Sequence, residues 1–72
     1  MALLYVNNTR NYTINEEIEF DMKNCYIEGT YGSYLDICVK PGNERLVRIN
    51  KNEGVNDYHV KIVKLYYKIV PS

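Results

Sequence analysis

Tryptophan and glutamine are absent from this 72-residue chain, and alanine occurs once, at Ala2. Alanine and glutamine are among the strongest helix formers, and no stretch keeps a 3.6-residue apolar period for three turns. A helical bundle and an alternating α/β fold are therefore excluded. No apolar run approaches the ~20 residues of a membrane-spanning helix. With two cysteines and one histidine, neither a disulfide scaffold nor a Cys/His zinc motif is available. Four glycines and two prolines leave no linker or low-complexity tract. The formal net charge is zero, which removes any general attraction to nucleic acid or an anionic membrane.

Catalytic signatures are missing as well. There is no nucleophile elbow, phosphate-binding glycine loop or metal motif. No enzymatic activity, cofactor or metal is expected. Residues 1–6 lack the basic start and apolar length of a secretory leader and read as a first strand. Two cysteines without such a leader point to a reducing cytoplasm. Asn, Lys, Ile and Tyr supply more than 40% of the chain. That bias follows AT-rich coding and suggests a phage or other mobile element of a low-GC bacterium.

What is present is β-forming sequence. Seventy-two residues make one small β domain, 1–72, with a thin core, since a chain this short buries only about 60% of its unfolded surface. Ile18, Phe20 and Met22 alternate with Glu17, Glu19 and Asp21, a half-buried strand. Turns at Lys23-Asn24, Tyr31-Gly32-Ser33 and Pro41-Gly42-Asn43 divide the following residues. Pro then Gly is a type II turn signature, and Asn24 tolerates positive φ. Read as hairpins, these turns give an antiparallel meander with Cys25, Ile27, Leu35, Ile37, Val39, Val47 and Ile49 facing the core. The same register sets Lys40 opposite Glu44 and Asp36 opposite Arg48.

The last segment changes parity. Tyr58, Val60 and Ile62 occupy even positions, whereas Val63, Leu65, Tyr67 and Ile69 occupy odd ones. One extra residue in a strand flips every later side chain, so a β-bulge is predicted at Ile62-Val63, with both residues inward. The fold class is all-β, with five or six strands closing into an open barrel or small sandwich. The bulged strand should pair with the N-terminal strand or a meander edge.

Charge is segregated along the chain. Glu19, Glu28 and Asp36 form an acidic row in the meander register, flanked by Tyr26, Tyr34 and Leu46. An apolar-aromatic centre rimmed by carboxylates suits protein docking. His59, Lys61, Lys64, Tyr66 and Lys68 should line the outer side of the last strand. Basic and aromatic residues interleaved on a strand suit single-stranded nucleic acid. Cys25 faces inward and Cys38 outward, which rules out a bridge between them. The expectation is a non-enzymatic protein-binding module, an accessory or inhibitor protein. The alternative is a small nucleic-acid-binding barrel using the basic strand. A thin core and free sheet edges also favour a homodimer.

Overall fold

A computed structural model describes residues 2–71. Among them are six strands and no helix: β1 (Ala2–Asn7), β2 (Thr13–Lys23), β3 (Cys25–Ile27), β4 (Tyr34–Val39), β5 (Glu44–Lys51) and β6 (His59–Val70). They form two three-stranded antiparallel sheets, ordered β1-β5-β3 and β4-β2-β6. The expected all-β class and small-sandwich architecture hold, and the barrel is not closed.

The connectivity is not a meander. Strands β1, β3 and β5 lie in the first sheet and β2, β4 and β6 in the second, so every connection changes sheet. The turns are where the sequence places them, but they turn corners instead of making hairpins. Asn24 takes φ 60° and swings the chain from β2 directly into β3. Pro41 and Gly42 form the expected turn, with Gly42 at φ 74° and the Asn43 amide donating to the Lys40 carbonyl at 3.1 Å. It delivers β5 to the opposite layer. Asp36 consequently lies opposite Glu17, and Arg48 opposite Leu3. The two opposite-charge pairs of the meander register do not form.

Facing is unaffected by this change. Ile18, Phe20, Ile27, Leu35, Ile37, Val39, Val47 and Ile49 are all buried, joined by Val6 and Ile14. Side-chain parity belongs to each strand alone, so it survives a change of partner.

The bulge is also where it was expected. Glu19 pairs with Lys64 and Phe20 with Ile62, leaving Val63 as the extra residue. Of the two partners expected, the N-terminal strand and a meander edge, the bulged strand pairs with the second: its partner is β2, the first strand of the expected meander. Burial differs from expectation, because Ile62 and Val63 are 43% and 49% exposed. Strand β6 is the outer strand of its sheet, with β2 as its paired neighbour. Every residue from Lys61 to Ile69 is exposed.

The molecule is long in consequence, 45 × 19 × 16 Å with a radius of gyration of 13.4 Å. A compact chain of this length has a radius near 11 Å. Its accessible surface, 5353 Å², likewise exceeds the roughly 4,700 Å² typical of this mass.

One buried polar residue fastens the corners. The Asn8 side-chain amide donates to the carbonyls of Tyr12 (2.8 Å) and Val39 (2.9 Å), and its Oδ1 accepts from the Arg10 amide at 2.9 Å. Its backbone exchanges bonds with Asn43 and Gly42 at 3.0 and 2.9 Å. The β1–β2 loop is thereby tied to the β4–β5 turn. Asn8→Ala strips buried carbonyls of their donor and is expected to cost about 2–3 kcal/mol. Asn7→Ala, on an exposed position, should cost under about 0.5 kcal/mol. Urea denaturation of the two variants checks the contrast.

Candidate functional site

The two sheets present two different outer faces. On the second sheet the outward side chains form cross-strand rows: Asp36, Glu17 and Tyr66; Tyr34, Glu19 and Lys64; then Asp21 and Lys61. Acidic β2 therefore runs directly beside basic β6. Each of Lys61 and Lys64 has a carboxylate as its opposite neighbour, an arrangement that favours the sheet by a few tenths of a kcal/mol per pair. His59 Nε2 lies 3.6 Å from Asp21 Oδ2, with both side chains exposed. His59, Lys61, Lys64, Tyr66 and Lys68 share the outward side of β6, as the sequence implied. The adjoining acids offset the positive field that a phosphate backbone would need.

The acidic row itself is split. Glu19, Tyr34 and Asp36 lie on the second sheet, whereas Tyr26 and Leu46 belong to the first sheet and Glu28 follows the end of β3. A meander would have made these strands neighbours, and the sheet-changing corners separate them. The like-charge pair that does form is Glu17 opposite Asp36. Both carboxylates are hydrogen-bonded: the Tyr34 hydroxyl donates to Glu17 at 2.7 Å, and the Asn15 amide donates to Asp36 at 2.8 Å.

On the first sheet Tyr5 sits opposite Leu46, Leu3 opposite Arg48, and Tyr26 opposite Asn50. Leu3, Tyr5, Tyr26 and Leu46 are each 40–55% exposed, which gathers an apolar-aromatic face. The Glu28 amide donates to the Arg48 carbonyl at its edge. Leu3 and Tyr5 escaped the sequence reading. Their outward alternation was visible, but the pairing of β1 with β5 was not.

Exposed apolar side chains are most concentrated on β6, along the open side of the sandwich. Leu65, Tyr67 and Ile69 pair across from Ile18, Glu16 and Ile14 and so face the layer between the sheets, yet each is more than half exposed. Clefts of about 310, 260 and 200 Å³ run along this side between β1 and β6. Glu16 is on the same inward side, and its Oε2 is buried without a hydrogen-bond partner.

Cys25 packs against the core and its thiol donates to the His59 carbonyl at 3.3 Å; Cys38 is exposed on the other sheet, and both are free. No cluster of three or more potential metal ligands occurs among the described residues. No helix among them is long and apolar enough to cross a membrane. No family model, curated protein or solved structure matches this chain.

Tyr34 reports the state of the acidic face. Its phenol is pushed up to about 12 from the usual 10, first by the hydrogen bond to Glu17, then by partial burial and the charges of Glu17 and Asp36. The fold favours the neutral phenol, so this contribution to stability is complete below pH 10 and lost as pH rises through 12. Glu17→Gln should return the phenol toward 10. The difference in phenolate absorbance between Glu17→Gln and Glu17→Gln/Tyr34→Phe measures it.

Proposed function

We propose that this chain is a non-enzymatic protein-binding module whose contact surface is centred on β6. One observation carries the reading: nine successive residues of a twelve-residue strand, Lys61 to Ile69, are exposed on both faces. Ile62, Val63, Leu65, Tyr66, Tyr67 and Ile69 supply a large apolar area there. A contiguous exposed apolar surface beside an unpaired strand edge is costly in water and prone to aggregation. Binding another protein removes both costs. The outer face of the first sheet exposes fewer large apolar side chains, Leu3, Tyr5, Tyr26 and Leu46.

A photo-crosslinking side chain placed at Tyr67 tests the reading in cells that express the chain. The captured protein, purified and mixed with the wild-type domain, should bind directly. Leu65→Glu with Ile69→Glu should weaken that affinity at least tenfold. Leu46→Glu, on the other sheet, should leave it unchanged. Because Leu65 and Ile69 are largely exposed, their replacement should change stability by under about 1 kcal/mol. Unaltered affinity in the β6 variant would sink the proposal. So would binding of single-stranded RNA or DNA at about 50 mM salt that weakens steeply as salt is added.

A further inference from the structure

The clefts between β1 and β6 fix the relative direction of the two strands. Ala2, Leu3 and Leu4 share one cleft with Val60, Lys61 and Ile62. Leu4 to Asn7 share the next with Ile62 and Leu65, and Asn7 to Arg10 share the third with Tyr67. Both strands therefore advance the same way along the opening. Each is an outer strand of its sheet, with one side hydrogen-bonded and the other free.

Two free edges that run in the same direction accept one strand between them antiparallel to both, the stronger pairing. Facing sheets in general lie about 10 Å apart and paired strands about 4.8 Å apart, so one strand spans such a gap where the two sheets curl toward each other. We infer that the β1/β6 opening receives an extended segment of another protein, adding a strand that joins the two sheets.

Strand β6 specifies what that segment carries, because its side chains face both of its neighbours. Against its occupied side lies β2, which alternates Ile18, Phe20 and Met22 inward with Glu17, Glu19 and Asp21 outward. The free side offers the same row: Ile62, Leu65, Tyr67 and Ile69 inward, Lys61, Lys64 and Lys68 outward. An occupant with apolar and acidic residues in alternation matches it by burial and by charge. Glu16, whose Oε2 lacks a partner and which lines two of the clefts, adds a demand for one inward hydrogen-bond donor. A second copy of the chain fits poorly, since β6 against β6 sets one lysine row beside another with no carboxylate between them.

This inference rests on the protein-binding reading and narrows it to strand addition. The probe is a synthetic peptide of residues 15–23 with Glu16→Thr, which supplies the alternation and a hydroxyl donor. It should bind the intact chain with a Kd below about 1 mM, and protect backbone amides of β1 and β6, but not of β3 and β4, from hydrogen exchange. The same peptide with its three outward acids changed to lysine should bind at least tenfold more weakly. Lys64→Glu in the chain should narrow or reverse that preference.

Absence of binding by the acidic peptide, equal binding of both peptides, or protection confined to β3 and β4 would overturn the inference. So would sedimentation showing a peptide-free dimer that Leu65→Glu disrupts, which would assign the opening to a second copy. If the peptide fails while the protein captured at Tyr67 still binds the purified chain, strand addition is wrong and the broader reading stands.

Discussion

The second sheet exists because β2 pairs along both of its edges. Over eleven residues it carries β4 on one side and β6 on the other. Its inward residues Ile14, Ile18 and Phe20 sit in the buried core, and its outward Glu19 and Asp21 lie opposite Lys64 and Lys61 of β6. Strand β6 has no other strand to hold it. Its attachment is this one ladder, with a single register shift at Val63, and the length of the ladder is what permits so exposed a strand to remain ordered. Losing the match between Glu19, Asp21 and the facing lysines would weaken the outer half of that attachment without touching the core.

The sequence disclosed what is local and withheld what is long-range. Alternation told which side chains of each strand turn inward, and those assignments hold from Ile18 to Ile49. The parity slip located the bulge, because one unpaired residue must reverse every later side chain. Pro41-Gly42 and Asn24 announced their backbone conformations through φ alone. None of these signals names a partner strand. A turn of two or three residues serves equally as a hairpin within one sheet and as a corner between two. The apparent agreement of Asp36 with Arg48 and Lys40 with Glu44 was coincidence: a chain that is one-quarter charged produces such pairs in more than one register.

The candidate site was legible in the same uneven way. The basic side of β6 followed from alternation and is present as read. The acidic patch required Glu19, Glu28 and Asp36 on three neighbouring strands; β2 and β4 are neighbours, but Glu28 follows β3 on the other sheet. Asn8 left almost no trace in the sequence. Asparagine in a loop is commonly a solvated turn former, and only the meeting of the β1–β2 loop with the β4–β5 turn buries it. Leu3 and Tyr5 were hidden for the related reason that β1 joins β5 across the 36 residues from Asn8 to Asn43.

These facts give the exposed edge a physical logic. Sheet edges are normally protected by charge, shortness or cover, and β6 uses only the first. Its lysines discourage pairing with another β6, which would bring like charges together. They place no obstacle before an acidic strand, since β2 already occupies the other side on those terms. The inward row of Leu65, Tyr67 and Ile69 adds an apolar demand that lysines alone do not meet. Under the strand-addition proposal, an edge that repels its own kind while exposing apolar surface to one charge pattern would select through both repulsion and attraction. The cost of leaving that surface in water falls on β6, which contributes none of the ten buried residues of the core.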